Sequence, residues 1–327
     1  MIDRRSLLLS LSALPAMRRF AKAQSTDRVA RVGLLRPGAP FADSDPLVTA
    51  LANDLAAGGY TLGKNLVLEY RAAKGQVSLL PQLVDELVAS PVDVLVTIGY
   101  PTAVAAKEHS TVPVVITNAG DPVATHLVAS QAHPGGNVTG VTELSTELSA
   151  KRLQLLTEAV PTLRKVAMLW NADDLGMTLR YKAADAAAQS LGVTVQALGV
   201  REPDDFDSAF TTMDREPPDG LLMVSDVLTL LNRKRVIDYA AAHKLPAMYE
   251  SADLVRQGGF MSYGPTPREL MERVAALVVR ILGGAKPADL PLEAPTRYSF
   301  VINDKTAAAL GLALPQSILA RADDVIE

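Results

Sequence analysis

Val92-Asp93-Val94-Leu95-Val96-Thr97-Ile98-Gly99-Tyr100-Pro101-Thr102, followed one helix length later by Val112-Pro113-Val114-Val115, is the stretch whose reading decides the fold. Val, Leu and Ile occupy both parities of the first run. That is the pattern of a strand buried on both faces, which implies a parallel sheet covered by helices on each side. A loose echo follows: Pro218-Asp219-Gly220-Leu221-Leu222, a helical stretch, then Leu245-Pro246-Ala247-Met248. With 327 residues the chain exceeds the usual ~100–150 of one domain. Two similar α/β lobes are the expectation.

Working outward, Val32 to Leu35, Leu66 to Tyr70, Val92 to Ile98 and Val112 to Thr117 read as the strands of the first lobe. Between the first two, Asp45 caps a helix with Pro46 in its first turn, Leu47, Leu51 and Leu55 share one face, and Gly58-Gly59 stops it. Strands at Val166 to Trp170, Val193 to Leu198, Gly220 to Val224 and Pro246 to Tyr249 repeat the order, with helices around 174–190, 204–214 and 228–243. The clearest helix starts at Thr266-Pro267-Arg268-Glu269, which reads as a capping box, and presents Leu270, Val274, Leu277, Val278 and Ile281 on one face. A helix and a strand arriving after the second lobe predict that the chain returns to the first lobe and crosses again. The division expected is 28–141 with 265–294 for the N-terminal lobe, and 142–264 with 295–327 for the C-terminal lobe.

Arg4 and Arg5 precede the apolar run Leu7 to Ala16, and Ala21-Lys22-Ala23 supplies a small-x-small cleavage pattern. This reads as a signal peptide over 1–23, by the general or the twin-arginine route, leaving a mature chain from Gln24 in the periplasm. The run is about half of the ~20 residues needed to span a bilayer. A formal charge of −4, without a basic stripe, argues against nucleic acid as a partner. The absence of Cys excludes thiol catalysis, thiolate metal sites and disulfides.

Catalytic patterns are missing. No phosphate loop, no Gly-x-Gly-x-x-Gly after the first strand and no Gly-x-Ser-x-Gly elbow occurs. His109, His126, His133 and His243 lack metal-ligand spacing. Neither a metal nor a cofactor is expected, and the protein is not read as an enzyme. What remains is the loops at the carboxyl ends of the strands, where open α/β sheets bind ligands.

Gly99-Tyr100-Pro101-Thr102 opens a helix with Pro101 in its first turn and no Ser, Asp or Asn to cap it. The amides of Thr102 and Ala103 are therefore expected to be free for a ligand carboxylate. Asp121-Pro122 and Ser225-Asp226 follow the corresponding strands; either Asp would accept from a ligand ammonium or simply cap the next helix. Trp170, beside Asn171, and Tyr249 end strands and are candidate pocket walls. Arg36 and Pro37 close the first strand, with Arg36 a candidate to assist an anion.

The ordered segments Gly120-Asp121-Pro122-Val123, Pro134-Gly135-Gly136-Asn137-Val138-Thr139-Gly140, Lys151-Arg152-Leu153, Leu155-Leu156 and Ala167-Met168-Leu169-Trp170-Asn171 carry a resemblance. Gly258-Gly259-Phe260-Met261-Ser262-Tyr263-Gly264, Gly284-Ala285-Lys286-Pro287-Ala288-Asp289-Leu290-Pro291 and Ala309-Leu310-Gly311-Leu312 continue it. From Arg31 to Glu327 the chain resembles ABC-transporter substrate-binding proteins of the type I periplasmic-binding fold, whose better-known members take up amino acids. The resemblance implies two Rossmann-like lobes with parallel sheets, a three-crossover hinge, a small organic ligand enclosed between the lobes, and an inner-membrane ABC permease as partner of a monomer. Its pocket loops correspond to Gly99 to Thr102, Asp121, Trp170-Asn171, Asp226 and Tyr249, and Tyr100 stands where many relatives have a smaller residue. The alternative left open is an exported ligand-sensing subunit that signals to a membrane receptor. A lactose-repressor-type regulator would begin with a helix-turn-helix, where this chain begins with a signal peptide.

Overall fold

The computed structural model describes residues 28–42 and 44–327. The expected signal peptide lies outside them. The first sheet is five-stranded and wholly parallel, in the order β2-β1-β3-β4-β5. Its strands are β1 (Ala30–Arg36), β2 (Leu66–Ala72), β3 (Val94–Ile98), β4 (Val114–Thr117) and β5 (Val138–Gly140). Alternate residues go to opposite faces. Val32, Leu34, Val94 and Val96 pack under α1 (Pro46–Ala57) and α10 (Pro267–Leu282), whereas Leu35, Leu95, Val114 and Ile116 pack under α2 (Leu80–Ala89) and α3 (Tyr100–His109). Leu51, Leu55, Val274, Leu277 and Val278 are fully enclosed. Each contributes roughly 1.5–3 kcal/mol, so this lobe depends on a helix supplied from more than 200 residues downstream.

The second sheet has seven strands, in the order β12-β11-β10-β9-β8-β6-β7. They are β6 (Lys165–Asn171), β7 (Thr194–Val200), β8 (Gly220–Met223), β9 (Ala247–Tyr249), β10 (Met261–Pro265), β11 (Tyr298–Asn303) and β12 (Asp324–Ile326). Only the β10–β11 pairing is antiparallel. One face carries Val166, Met168, Trp170, Leu222 and Met248, packed with α4 (Ser145–Ala159) and α5 (Leu175–Ala188). The other carries Ala167, Leu169, Leu221, Met223 and Tyr249, packed with α6 (Asp205–Arg215), α8 (Arg233–Ala242) and α9 (Ala252–Arg256). The helix expected over 228–243 is two, α7 (Val227–Leu231) and α8, because Asn232 leaves the helical region at φ −99°, ψ 7°. Short helices α11 (Asp304–Leu310) and α12 (Gln316–Leu319) complete the chain.

The backbone passes between the sheets after β5, after β10 and before β11. These crossings are tied together. Thr142 N donates to Glu293 O at 2.8 Å, Glu293 N to Gly140 O at 2.9 Å, and Thr266 N to Arg297 O at 3.3 Å. This is the α/β, two-lobed, three-crossover type I arrangement. One local expectation needs correcting here: Thr266 makes no side-chain cap. The Glu269 carboxylate turns instead to the amides of Thr296 (2.9 Å) and Arg297 (2.8 Å) and to Arg273 (2.7 Å), pinning the third crossing to α10. Burial opposes its ionisation, but those donors outweigh it and hold Glu269 down at about 2.

Candidate functional site

The carboxyl ends of both sheets face one another, and the lobes meet there. A methyl group on Gly120, which sits at φ 74° in the loop after β4, would lie 3.6 Å from Gly176 Cα and 3.8 Å from Arg180 Nη2 on α5. Farther out, Gly75 and Gly38 of the first lobe approach Leu231 and Val227 of the second. The chain is thus in a closed arrangement.

In the first lobe, Gly99 turns β3 directly into α3 at φ 94°, a left-handed conformation that glycine adopts without strain. Its amide donates to Thr117 O at 2.9 Å, and Pro37 packs beside it. No side chain caps α3. Ala103 is not free, however: its amide reaches Gly99 O at 3.2 Å, and Pro101 has no N–H, so the uncapped amides are those of Tyr100 and Thr102. The Thr102 hydroxyl folds back to the carbonyls of Ile98 (2.9 Å) and Gly99 (2.7 Å). Tyr100 is half-buried; burial, then the charges of Asp174 and Glu108, raise its phenol. Asp174 belongs to the opposite lobe, so the Tyr100 phenol lies near the cleft while its ring packs against the α2/α3 core. Asp121 caps its own turn, with Oδ1 accepting from Val123 (3.1 Å) and Ala124 (3.0 Å), and Pro122 is buried behind it. Arg36 is engaged by its own loop: Nη1 pairs with Asp45 at 2.7 Å and the guanidinium lies 3.9 Å over the Phe41 ring.

In the second lobe, Asn171 Nδ2 donates to Asp226 Oδ2 at 2.6 Å. Asp226 Oδ1 accepts from the Thr229 amide at 2.9 Å, and Thr229 Oγ1 accepts from the Asp226 amide at 2.9 Å, a complete capping box. Two expected wall residues are elsewhere. Trp170 stacks on Tyr181 at 4.0 Å within the α4/α5 core, and Tyr249 lies in the α6/α8/α9 core with its hydroxyl unpartnered. Both are still inside the pleat of their strands, where side chains point into a layer and not out of the strand end. Burial raises the Tyr249 phenol.

The groups that emerge in their place are charged. Glu250, one residue past Tyr249, takes Arg152 Nη1 on Oε1 and Arg180 Nη1 on Oε2, each at 2.7 Å, and the Ser225 amide at 3.2 Å. Arg152 Nε continues to Tyr263 O at 2.7 Å, beside the second crossing. Glu143, on the first crossing, stands 3.7 Å from Arg180 Nη2; burial raises its carboxyl, against the opposing pull of the Arg180 charge. Asp174 is buried as the N-cap of α5, accepting from Met177 N at 3.2 Å. Its carboxyl is pushed up to about 6, by burial first and by Asp226 in addition. The Ser225 hydroxyl and Arg180 Nε are buried with no partner. A sequence signal for the arginines existed: Met177, Arg180, Ala184 and Ala188 lie on one helical stripe, and so do Leu148, Arg152 and Leu156. A guanidinium in an apolar stripe requires a buried partner. Among the described residues, no group of three or more His, Cys, Asp or Glu is arranged to hold a metal.

The chain is similar to known proteins over most of its length. It is 23% identical over 256 residues to a tyrosine-binding protein of Clostridioides difficile (strain R20291), covering 78% of this chain and 73% of that one. A solved ABC domain from Streptococcus pneumonia in complex with L-Trp is 26% identical, with a TM-score of 0.84, covering 91% of this chain and 99% of that one. A conserved domain protein from Vibrio cholerae has the same identity and TM-score, at 91% and 100% coverage. Residues 44–326 match the family described as ABC transporter substrate binding protein, and with that span covered the chain belongs to this family.

Proposed function

We propose that this chain is the periplasmic solute-binding component of an ABC importer and that it clasps an amino acid between its lobes. The observation that carries the ligand class is the presence of opposite chemistries lining one cleft. The acidic group is Asp174, a buried carboxyl near Asp226, which burial raises to about 6 against the pull of Arg180 and which a ligand ammonium would stabilise in its charged form. The donors are the Arg180 guanidinium, on the same helix that Asp174 caps, and, facing it from the first lobe, the weaker uncapped start of α3. A ligand bearing both an ammonium and a carboxylate answers both. The similar proteins that bind tyrosine and L-Trp support the same class and favour an aromatic side chain. Ligand contacts made only when the lobes are together stabilise the closed form, and that form is what a permease in the membrane would engage.

A thermal-shift screen of the mature chain against the amino acids, their amides and a set of hexoses tests this reading. The expected result is an upward shift with one or more aromatic amino acids and none with hexoses. Stabilisation by hexoses alone would overturn it.

A further inference from the structure

This inference rests on the reading that the cleft holds the ligand. We propose that Arg180, assisted by Ser225, is the anchor for the ligand's carboxylate, and that the start of α3 is not. Charge is the first argument. Arg152 and Arg180 are each 2% exposed, and one carboxylate, Glu250, bonds both at 2.7 Å. Two other carboxyls lie near: Asp174 caps α5 and makes no hydrogen bond to Arg180, and Glu143 stands 3.7 Å from Arg180 Nη2, beyond hydrogen-bond reach, with its Oε2 taking the Ser145 hydroxyl at 3.2 Å. Burial favours its neutral form. Two buried guanidiniums therefore share one firmly bonded anion. A buried cation without full compensation is costly, and a ligand carboxylate supplies the missing charge.

Geometry is the second argument. Arg180 Nε and Ser225 Oγ are buried donors with no partner. Arg180 also lies against Gly120 of the opposite lobe, which places its guanidinium where the two lobes meet. The start of α3 has less to offer, because Pro101 interrupts its amides, Ala103 is used internally, and the Thr102 hydroxyl points back to Ile98 and Gly99. It carries partial charges where Arg180 carries a whole one. Because Glu250 also bonds Arg152, which holds the Tyr263 carbonyl at the second crossing, a carboxylate on Arg180 is continuous with the hinge.

The test is calorimetric, with L-tyrosine and L-tryptophan, their amides, and their deaminated acids as probes, on the wild-type chain and on Arg180→Gln, Arg180→Lys and Ser225→Ala. The wild type is expected to prefer each amino acid to its amide by tenfold or more, about 1.4 kcal/mol. Arg180→Gln should reduce that preference to about twofold or less, with Arg180→Lys and Ser225→Ala falling between. If Arg180→Gln does not fold, the lysine and serine variants give the same reading. A preference unchanged in the variants overturns the Arg180 assignment and leaves the amino-acid reading standing. If none of these compounds binds the wild type, the amino-acid reading fails and the assignment with it.

Discussion

Glu250→Gln removes the one anion that both buried guanidiniums bond and leaves the shape of the side chain unchanged. Arg152 and Arg180 each donate to Glu250 at 2.7 Å, and the Ser225 amide donates at 3.2 Å. A charge-assisted hydrogen bond contributes roughly 1.5–3 kcal/mol, so two of them come to about 3–6 kcal/mol. Breaking a buried pair by removing one partner costs about 3–5 kcal/mol, which agrees. In a cooperative unit of about 150–250 residues, each kcal/mol moves the melting temperature by about 2–4 °C. The expected fall is therefore on the order of 10 °C, read by circular dichroism or calorimetry near neutral pH. Because the arginines are shielded from solvent, it should persist in ~1 M salt, where exposed pairs are screened. A fall below about 2 °C, or one abolished by salt, would refute the view that Glu250 neutralises a desolvated cationic pair.

Asp174→Asn preserves the α5 cap, since Asn caps as well as Asp. The folded carboxyl titrates near 6, above its ordinary 3.8, so the ionised form strains the fold. The folded state holds the proton longer than the unfolded one, and the wild type loses stability as pH rises from about 4 to about 6. The Asn variant should be the more stable near neutral pH, by up to roughly 3 kcal/mol, and melt higher there, with the advantage gone near pH 4, while amino-acid binding weakens. Equal melting curves at both pH values would contradict this. Glu269→Ala frees Thr296, Arg297 and Arg273 at the third crossing. Loss of about 2–4 kcal/mol is expected in denaturant unfolding near neutral pH. With the folded carboxyl held at about 2, the wild-type advantage is present above about 4.5 and disappears as pH falls toward 2.

The lobes were legible because buried parallel strands leave an unmistakable run of Val, Ile and Leu, as at Val94 to Ile98, where β3 stands. The loops of the cleft followed from the strand ends, and Gly99, Tyr100, Thr102, Asn171, Ser225 and Asp226 all stand at them. What failed was the aim of individual side chains. Tyr249 is the last residue of β9 and Glu250 the first beyond it, and the last side chain of a strand still points into the layer while the next is free to leave it. Trp170 fell to the same rule. Capping was misread where a carboxylate had a better use, as Glu269 shows by leaving Thr266 for Thr296 and Arg297. The Arg152–Glu250–Arg180 group joins residues up to 98 positions apart, which no local pattern reveals.

Isothermal titration of residues 24–327 with L-tyrosine and L-tryptophan, with D-glucose as control, tests the central claim most directly. The account predicts one saturable site for at least one of the two amino acids, with a dissociation constant near micromolar, about −8 kcal/mol, and a negative heat-capacity change from the closing cleft. Heat from glucose with none from either amino acid would contradict it.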